Sequence, residues 1–163
     1  MKLPPTVAKY FPNAEPLYAA NMRADTLDID QIAILVDNIE DAIEYLGKMY
    51  GWGPFYKAEH NGTAWYRGAM KDSRFYMAFC LVGEMEIELL QYIDGECAHK
   101  EGEPGLFHLR LLTPDMNADL QLNAANGAEV IWGAKNNGQF VGAYLEPNLL
   151  QFRAELLQRP EKI

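Results

Sequence analysis

The sequence predicts an α+β fold in which two βαβββ modules pair around a shared cleft, and three observations predict it. The tetrapeptide Glu-Leu-Leu-Gln occurs twice, as Glu88-Leu89-Leu90-Gln91 and as Glu155-Leu156-Leu157-Gln158, each time closing a segment that opens as a strand followed by a helix. The openings Gln31-Ile32-Ala33-Ile34-Leu35-Val36 and His108-Leu109-Arg110-Leu111-Leu112-Thr113 superpose at an offset of 77 positions, which also lays Asn38 on Asp115 and Ile39 on Met116. Gly102-Glu103-Pro104-Gly105 is the strongest loop signal in the chain and marks the junction between the copies. One helix and a meander of strands bury too little alone, so two copies set side by side are the natural solution.

Residues 1–27 carry Pro4, Pro5, Pro12 and Pro16 among Tyr10, Phe11 and Tyr18, a composition suited to an extended arm whose aromatic residues pack onto something. Residues 28–163 are then expected to form one domain, with modules at about 28–95 and 105–159. Ile29 to Val36 is apolar and β-branched. Asp37-Asn38 supplies a capping signal, and Ile39, Ala42, Ile43, Leu46 and Met49 recur at helical spacing until Gly51-Trp52-Gly53-Pro54. Phe55 to Glu59, Thr63 to Ala69 and Phe75 to Val82 read as strands separated by Asn61-Gly62 and Lys71-Asp72-Ser73, and Glu84 to Tyr92 completes the unit. In the second half Phe107 to Thr113 is a strand, Pro114-Asp115 caps a helix through Ala125, and Asn126-Gly127 stops it. Glu129 to Ala134, Gln139 to Leu145 and Leu149 to Gln158 supply the remaining strands.

At 163 residues, 49% hydrophobic and 23% charged, the chain can bury one substantial core. A net charge of −9 argues against a nucleic-acid surface or an anionic membrane surface, since both reward clustered Lys and Arg. The start, Met1-Lys2-Leu3-Pro4-Pro5, lacks a signal-peptide core and no run reaches membrane-spanning length, so a cytoplasmic location is expected. Cys80 and Cys97 make neither a disulfide framework nor a thiolate metal site and are expected to be free thiols.

The duplication gives four polar side chains corresponding positions: Gln31 and His108 on the opening strands, Glu88 and Glu155 on the closing ones. By the two-residue period, Glu84, Glu86 and Glu88 share one strand face with Leu90, and Glu155 lines up with Gln151, Arg153 and Leu157 while Phe152, Ala154 and Leu156 turn to the helix. Two carboxylates, an imidazole nitrogen and an amide oxygen form a hard N/O set suited to a divalent ion of the Zn, Ni, Co, Mn or Fe group. Four protein ligands leave a position for water or substrate when the ion is five- or six-coordinate, as catalysis requires. Singly, each residue reads equally as a solvated glutamate, a satisfied histidine or a surface glutamine. Their matched places in two copies raise the joint reading.

These residues resemble the vicinal oxygen chelate superfamily, the glyoxalase and bleomycin-resistance fold, and within it the branch containing methylmalonyl-CoA epimerase. The motifs are Asp30-Gln31-Ile32-Ala33-Ile34, Gly53-Pro54-Phe55, Ile87-Glu88-Leu89-Leu90-Gln91, Gly105-Leu106-Phe107-His108-Leu109, and Tyr144-Leu145-Glu146-Pro147-Asn148 ahead of Ala154-Glu155-Leu156-Leu157-Gln158. The resemblance covers roughly residues 28 to 159 and implies a glyoxalase-like fold with metal ligands at Gln31, Glu88, His108 and Glu155. It implies a divalent ion (Zn, Ni, Co or Mn), a homodimer, and a small-molecule substrate such as an acyl thioester. The epimerases usually begin with His and continue with Gln where this chain has Gln31 and Glu88, and Phe107 replaces the first of two histidines. The Gln/Glu/His/Glu set is also similar to that of zinc-type glyoxalase I enzymes.

What the resemblance implies for chemistry is proton transfer next to a carbonyl, with Glu155 as the leading base and Glu59 near where the epimerases carry their other catalytic carboxylate. His60 and His99 read as loop residues without assigned chemistry. Glyoxalase I (lactoylglutathione lyase) activity is the alternative within the enzymes, and a non-catalytic binding protein of the bleomycin-resistance kind the alternative outside them. A His-rich dioxygenase triad fits Gln31 and two glutamates poorly. A CoA thioester needs basic residues for its phosphates, and Lys57, Arg67, Lys71, Lys100 and Arg110 are the plausible supply.

Overall fold

Gln31, Ala33 and Leu35 are buried on one side of strand β1 (Asp28–Leu35), while Ile34 turns the other way to pack beneath a helix. That alternation is repeated round a closed barrel in the computed structural model of the chain, which describes residues 4–146 and 153–160. After β1 come helix α2 (Ile39–Tyr50) and strands β2 (Tyr56–Tyr66), β3 (Ala69–Val82) and β4 (Met85–Gly95). A short 3-10 turn (Ala98–Glu101) leads to the second module: β5 (Gly105–Thr113), α3 (Met116–Ala125), β6 (Glu129–Asn136), β7 (Gln139–Glu146) and β8 (Arg153–Gln158). Helix α1 (Pro5–Tyr10) precedes them all.

The strand order is β1-β4-β3-β2-β6-β7-β8-β5, returning to β1. Each module therefore contributes a four-stranded half with the same internal order, and the halves meet at two seams. At one, β1 and β5 run antiparallel and pair along the whole of β1; at the other, β2 and β6 pair only at Trp65↔Gly133 and Tyr66↔Trp132. The barrel interior holds Leu35, Tyr66, Phe75, Leu90, Phe107, Ile131 and Tyr144. Outside it, α2 covers Ile39, Ala78 and Leu89, and α3 covers Met116, Leu145 and Leu156. Both helices start as expected: Asn38 and Asp115 accept from the backbone N–H three residues on, at 2.9 and 3.0 Å.

The repeated Glu-Leu-Leu-Gln has a structural explanation. Leu89 and Leu156 lie against the helices, whereas Glu88 and Glu155 face the interior. The closing glutamine turns back to the helix side: Gln91 Oε1 accepts from the Ile39 backbone N–H at 2.8 Å, and Gln158 Oε1 from that of Met116 at 2.9 Å. Each glutamine thus satisfies the first orphan donor of its module's helix. Gln91→Ala and Gln158→Ala should each cost about 1 kcal/mol of stability, read as a fall in the urea midpoint with an unchanged slope. An unmoved midpoint in both would sink this role.

Three expectations need correction. Phe55–Glu59 and Thr63–Ala69 are not two strands: Asn61 and Gly62 lie within β2, paired with Arg74 and Ser73, and Lys71-Asp72-Ser73 lies within β3. The hairpin turns instead at Arg67-Gly68, where φ is +43° and +97°. Turn-prone polar residues are tolerated inside β2 because most of that strand is an exposed edge beyond the short seam with β6. His60 belongs to β2, and His99 is wholly buried. The aromatic residues of the first 27 positions, Tyr10, Phe11 and Tyr18, are exposed rather than packed; contact with the barrel comes from Leu27 in the cluster under α3 and from Arg23, 2.9 Å from Asp119. Residues 149–152, including Gln151 and Phe152, lie outside the described residues. Both cysteines are free and buried, and no helix among the described residues is long and apolar enough to cross a membrane.

Candidate active site

Four adjacent strands, β4, β1, β5 and β8, deliver Glu88, Gln31, His108 and Glu155 to one point inside the barrel of a single chain. His108 Nε2 lies 3.0 Å from Gln31 Oε1, 3.0 Å from Glu155 Oε2 and 3.4 Å from Glu88 Oε2. Gln31 and His108 are wholly buried, and the side chain of Glu155 is 14% exposed against 8% for Glu88. The direction of the Gln31 amide follows from its other end, where Nε2 donates to Glu86 Oε1 at 2.6 Å and leaves Oε1 facing the imidazole. Three oxygens then surround one ring nitrogen, and a single N–H cannot satisfy them all.

The excess of oxygen is visible electrostatically. Burial, the nearby Glu155 carboxylate and, more weakly, Glu86 push Glu88 up to about 8, with Arg110 opposing them. Ion-free protein consequently keeps Glu88 protonated through neutrality. The unfolded chain releases that proton near pH 4.5, so unfolding loses a proton between about pH 4.5 and 8 and stability falls as pH rises across that window. Chelator-treated protein should lose on the order of 3 kcal/mol from pH 5 to 8 in urea titrations, and Glu88→Gln should flatten the profile. An equally steep profile in that variant would refute the assignment.

A relay of charge braces the cluster from its side. Arg110 donates to both oxygens of Asp30 at 2.8 Å and lies 3.3 Å from Glu86, which in turn holds Gln31. Register explains the chain, since β1 pairs Gln31 with Glu86 on one side and with Arg110 on the other.

In front of the cluster opens a cavity of about 220 Å³. Its polar end is Gln31, Glu88, Glu155 and Arg110; the rest is Phe75, Met77, Phe79, Trp132, Tyr144 and His60. The rings form a continuous wall: His108 to Tyr144 at 4.9 Å between centroids, Tyr144 stacked on Trp132 at 4.7 Å, Trp132 to Phe75 at 6.2 Å and Phe75 stacked on His60 at 4.6 Å. Behind Tyr144, His99 Nε2 stands 3.2 Å from the phenol oxygen, and burial pushes His99 down to about 3, so its ring is neutral. Glu59 is elsewhere. It is a neighbour of His60 on β2, faces the opposite side, and pairs with Arg74 at 2.5 Å outside the cavity.

The family model described as the Glyoxalase/Bleomycin resistance protein/Dioxygenase superfamily matches residues 30–143. The chain belongs to that superfamily. Among solved structures it is similar to a hypothetical protein of Bacillus halodurans C-125 at 19% identity, with a TM-score of 0.60 over 85% of this chain and 99% of the other. It is similar to the methylmalonyl-CoA epimerase of Mycobacterium tuberculosis at 15% identity and a TM-score of 0.59, over 87% and 95% of the two chains. A variant Streptomyces coelicolor methylmalonyl-CoA epimerase in complex with 2-nitronate-propionyl-CoA follows at 19% identity and a TM-score of 0.56, over 83% and 100%. A search of curated proteins finds no match. These likenesses agree with the glyoxalase-like fold. Superfamily members commonly use divalent metals. Among the described residues no group of three or more His, Cys, Asp or Glu side chains is arranged to hold an ion.

Proposed function

We propose that the protein is a metal-dependent isomerase or epimerase that moves a proton at a carbon next to a carbonyl. The observation that carries this reading is the convergence of two carboxylates, an amide oxygen and an imidazole on a single point at the end of an otherwise aromatic cavity. The donor set fits a divalent ion. The donor types are those such an ion takes, one imidazole nitrogen with an amide oxygen and two carboxylate oxygens within 3.4 Å of it. Two carboxylates balance the ion's charge, and a cation in place of the shared hydrogen would answer all three oxygens. Gln31, Glu88, His108 and Glu155 are the residues that would hold it. A bound ion would supply Lewis acidity, polarising a carbonyl so that an adjacent C–H is more easily lost.

The remaining work falls to the chain. Glu155 is the more exposed of the two carboxylates and faces the cavity, so it is the group placed to take and return a proton at carbon. Glu86, held by Arg110, keeps the Gln31 oxygen aimed inward. The wall of Phe75, Trp132 and Tyr144 excludes water and strengthens electrostatics inside. The epimerase neighbour bound to a nitronate, a planar anion shaped like an enolate, supports the same reaction class. The Gln/Glu/His/Glu set also keeps the glyoxalase I reading in play.

Deuterium uptake from heavy water, with metal-loaded and chelated protein, tests the proposal on methylmalonyl-CoA, the glutathione adduct of methylglyoxal and phenacyl alcohol. Metal-dependent exchange next to the carbonyl is the expected result, and lactoylglutathione formation would select the glyoxalase I reading. Ligand binding without exchange on any of them would make the protein a binding module instead.

A further inference from the structure

The dipeptide Asn-Gly occurs three times, as Asn61-Gly62, Asn126-Gly127 and Asn137-Gly138, and the fold treats the three differently. Asparagine before glycine is open to a reaction within the chain: the glycine nitrogen attacks the asparagine side-chain carbonyl, the new N–Cγ bond closes a succinimide ring, and Nδ2 leaves as ammonia. Water then opens the ring at either carbonyl to give aspartate or isoaspartate, with no oxidant or reductant involved. Glycine permits the attack because no Cβ shields its nitrogen. The reaction also needs a glycine N–H free of other bonds and an asparagine able to turn toward it.

Asn61-Gly62 meets neither need. β2 turns into β3 through two residues, Arg67-Gly68, both at positive φ, so Tyr66 and Ala69 close the hairpin as a hydrogen-bonded pair. Bonded and non-bonded pairs alternate from there along an antiparallel ladder. Stepping back by twos through Ala64↔Lys71 reaches Gly62↔Ser73, so the Gly62 N–H is taken by the ladder and Asn61 is held extended. Asn126-Gly127, at the end of α3, is tied at both groups. The Gly127 N–H donates to the Ala124 carbonyl at 3.0 Å, and Asn126 Nδ2 to the Leu122 carbonyl at 2.8 Å.

Asn137-Gly138 is the two-residue turn between β6 and β7, closed by Asn136↔Gln139, with φ of +49° and +78° as in a type I′ turn. Both residues are exposed, and neither the Gly138 N–H nor the Asn137 side chain makes a hydrogen bond among the described residues. Space around the nucleophile is also open, since a Cβ built on Gly138 meets nothing within 4 Å.

We propose that Asn137 is the site at which the folded protein spontaneously forms a succinimide, and that the tip of the β6–β7 hairpin is where the molecule ages. Aspartate, the one product, tolerates positive φ as asparagine does and keeps the turn. Isoaspartate, the other, routes the main chain through Cγ and lengthens a two-residue turn by one carbon, so the flanking strands lose their register. Those strands carry Trp132 and Tyr144 of the cavity wall.

Incubating the whole protein in mildly alkaline heavy-oxygen water, then mapping its peptides by mass spectrometry with fragmentation that distinguishes isoaspartate, is the test. The heavy oxygen marks conversions that precede digestion. In the folded protein Asn137 should convert at least about tenfold faster than Asn61 or Asn126, which can react only through local opening. In urea the three should convert at comparable rates. Amide protons at Asn136 and Gln139 should exchange about tenfold faster in the isoaspartate fraction than in the parent, and those of Asn137→Asp should match the parent. The proposal is overturned when Asn137 stays intact in the folded protein over the time in which the urea-unfolded chain converts all three, or when Asn61 or Asn126 keeps pace with it in the folded state. An isoaspartate fraction whose hairpin exchanges no faster than the parent's overturns the loosening.

Discussion

His108→Ala should leave the protein without its divalent ion and without metal-dependent proton exchange. The imidazole is the one nitrogen that Gln31, Glu88 and Glu155 all approach, so its loss removes a ligand and the centre around which the others are arranged. Deleting a group that merely orients a ligand already costs about 10- to 100-fold in metal affinity, and deleting the ligand itself should cost more. Elemental analysis of protein prepared without chelators should find about one ion per parent chain and less than about a tenth of that in the variant. Because ligation requires a neutral imidazole and ionised carboxylates, the parent's ion should also be lost on acidification. Equal metal in parent and variant would remove the site from these four residues. Far-ultraviolet dichroism on the same samples shows whether the variant remains folded, and Gln31→Ala, which leaves the imidazole in place, is the second probe.

Glu155→Gln should lower the exchange rate by about a hundred- to ten-thousandfold at saturating metal, the range general-base catalysis contributes. The amide keeps an oxygen for the ion and the same shape for the cavity but cannot take a proton. Binding of phenacyl alcohol should therefore change far less than turnover. Exchange within about threefold of the parent would show that another group moves the proton, and Glu88, the second carboxylate of the cluster, would be the next to test.

Much of this architecture was legible because duplication repeats a physical job as well as a sequence. Gln91 and Gln158 each meet the first N–H of a helix from the neighbouring strand, so the tetrapeptide recurs wherever a helix must be seated and a carboxylate turned inward. The convergence of Gln31, Glu88, His108 and Glu155 was readable from corresponding positions. Their direct contact required the antiparallel pairing of β1 with β5. Asn61-Gly62 misled because the same dipeptide that favours a tight turn is harmless in an exposed strand edge, while the actual turn at Arg67-Gly68 bears an arginine at positive φ. Glu59 could have been excluded by alternation alone once His60 faced inward. Trp132, His60 and Tyr144 carried no signal of their own, since aromatic residues on strands pack cores: Tyr144 is placed by its register with Glu155, Trp132 by its register with Tyr144, and His60 by the meeting of β2 with β6.

The two seams between the halves are unequal, and that inequality gives the barrel a preferred way to breathe. One behaves as a spine, since parting β1 from β5 would break a ladder running from Asp28 to Leu35 and pull Gln31 away from His108. The other behaves as a clasp, fastened at Trp65 and Tyr66 and by the Arg67 N–H donating to the Ile131 carbonyl at 2.9 Å, between the strand that carries Trp132 and the edge that carries His60. Transient opening should concentrate at the clasp, where few hydrogen bonds stand in the way. The carboxylates and their imidazole ride on the spine and keep their spacing meanwhile. Amide protons of β2 and β6 should exchange with solvent well before those of β1 and β5, and a ligand that spans the cavity from Glu155 to Trp132 would slow the first pair by holding the clasp shut.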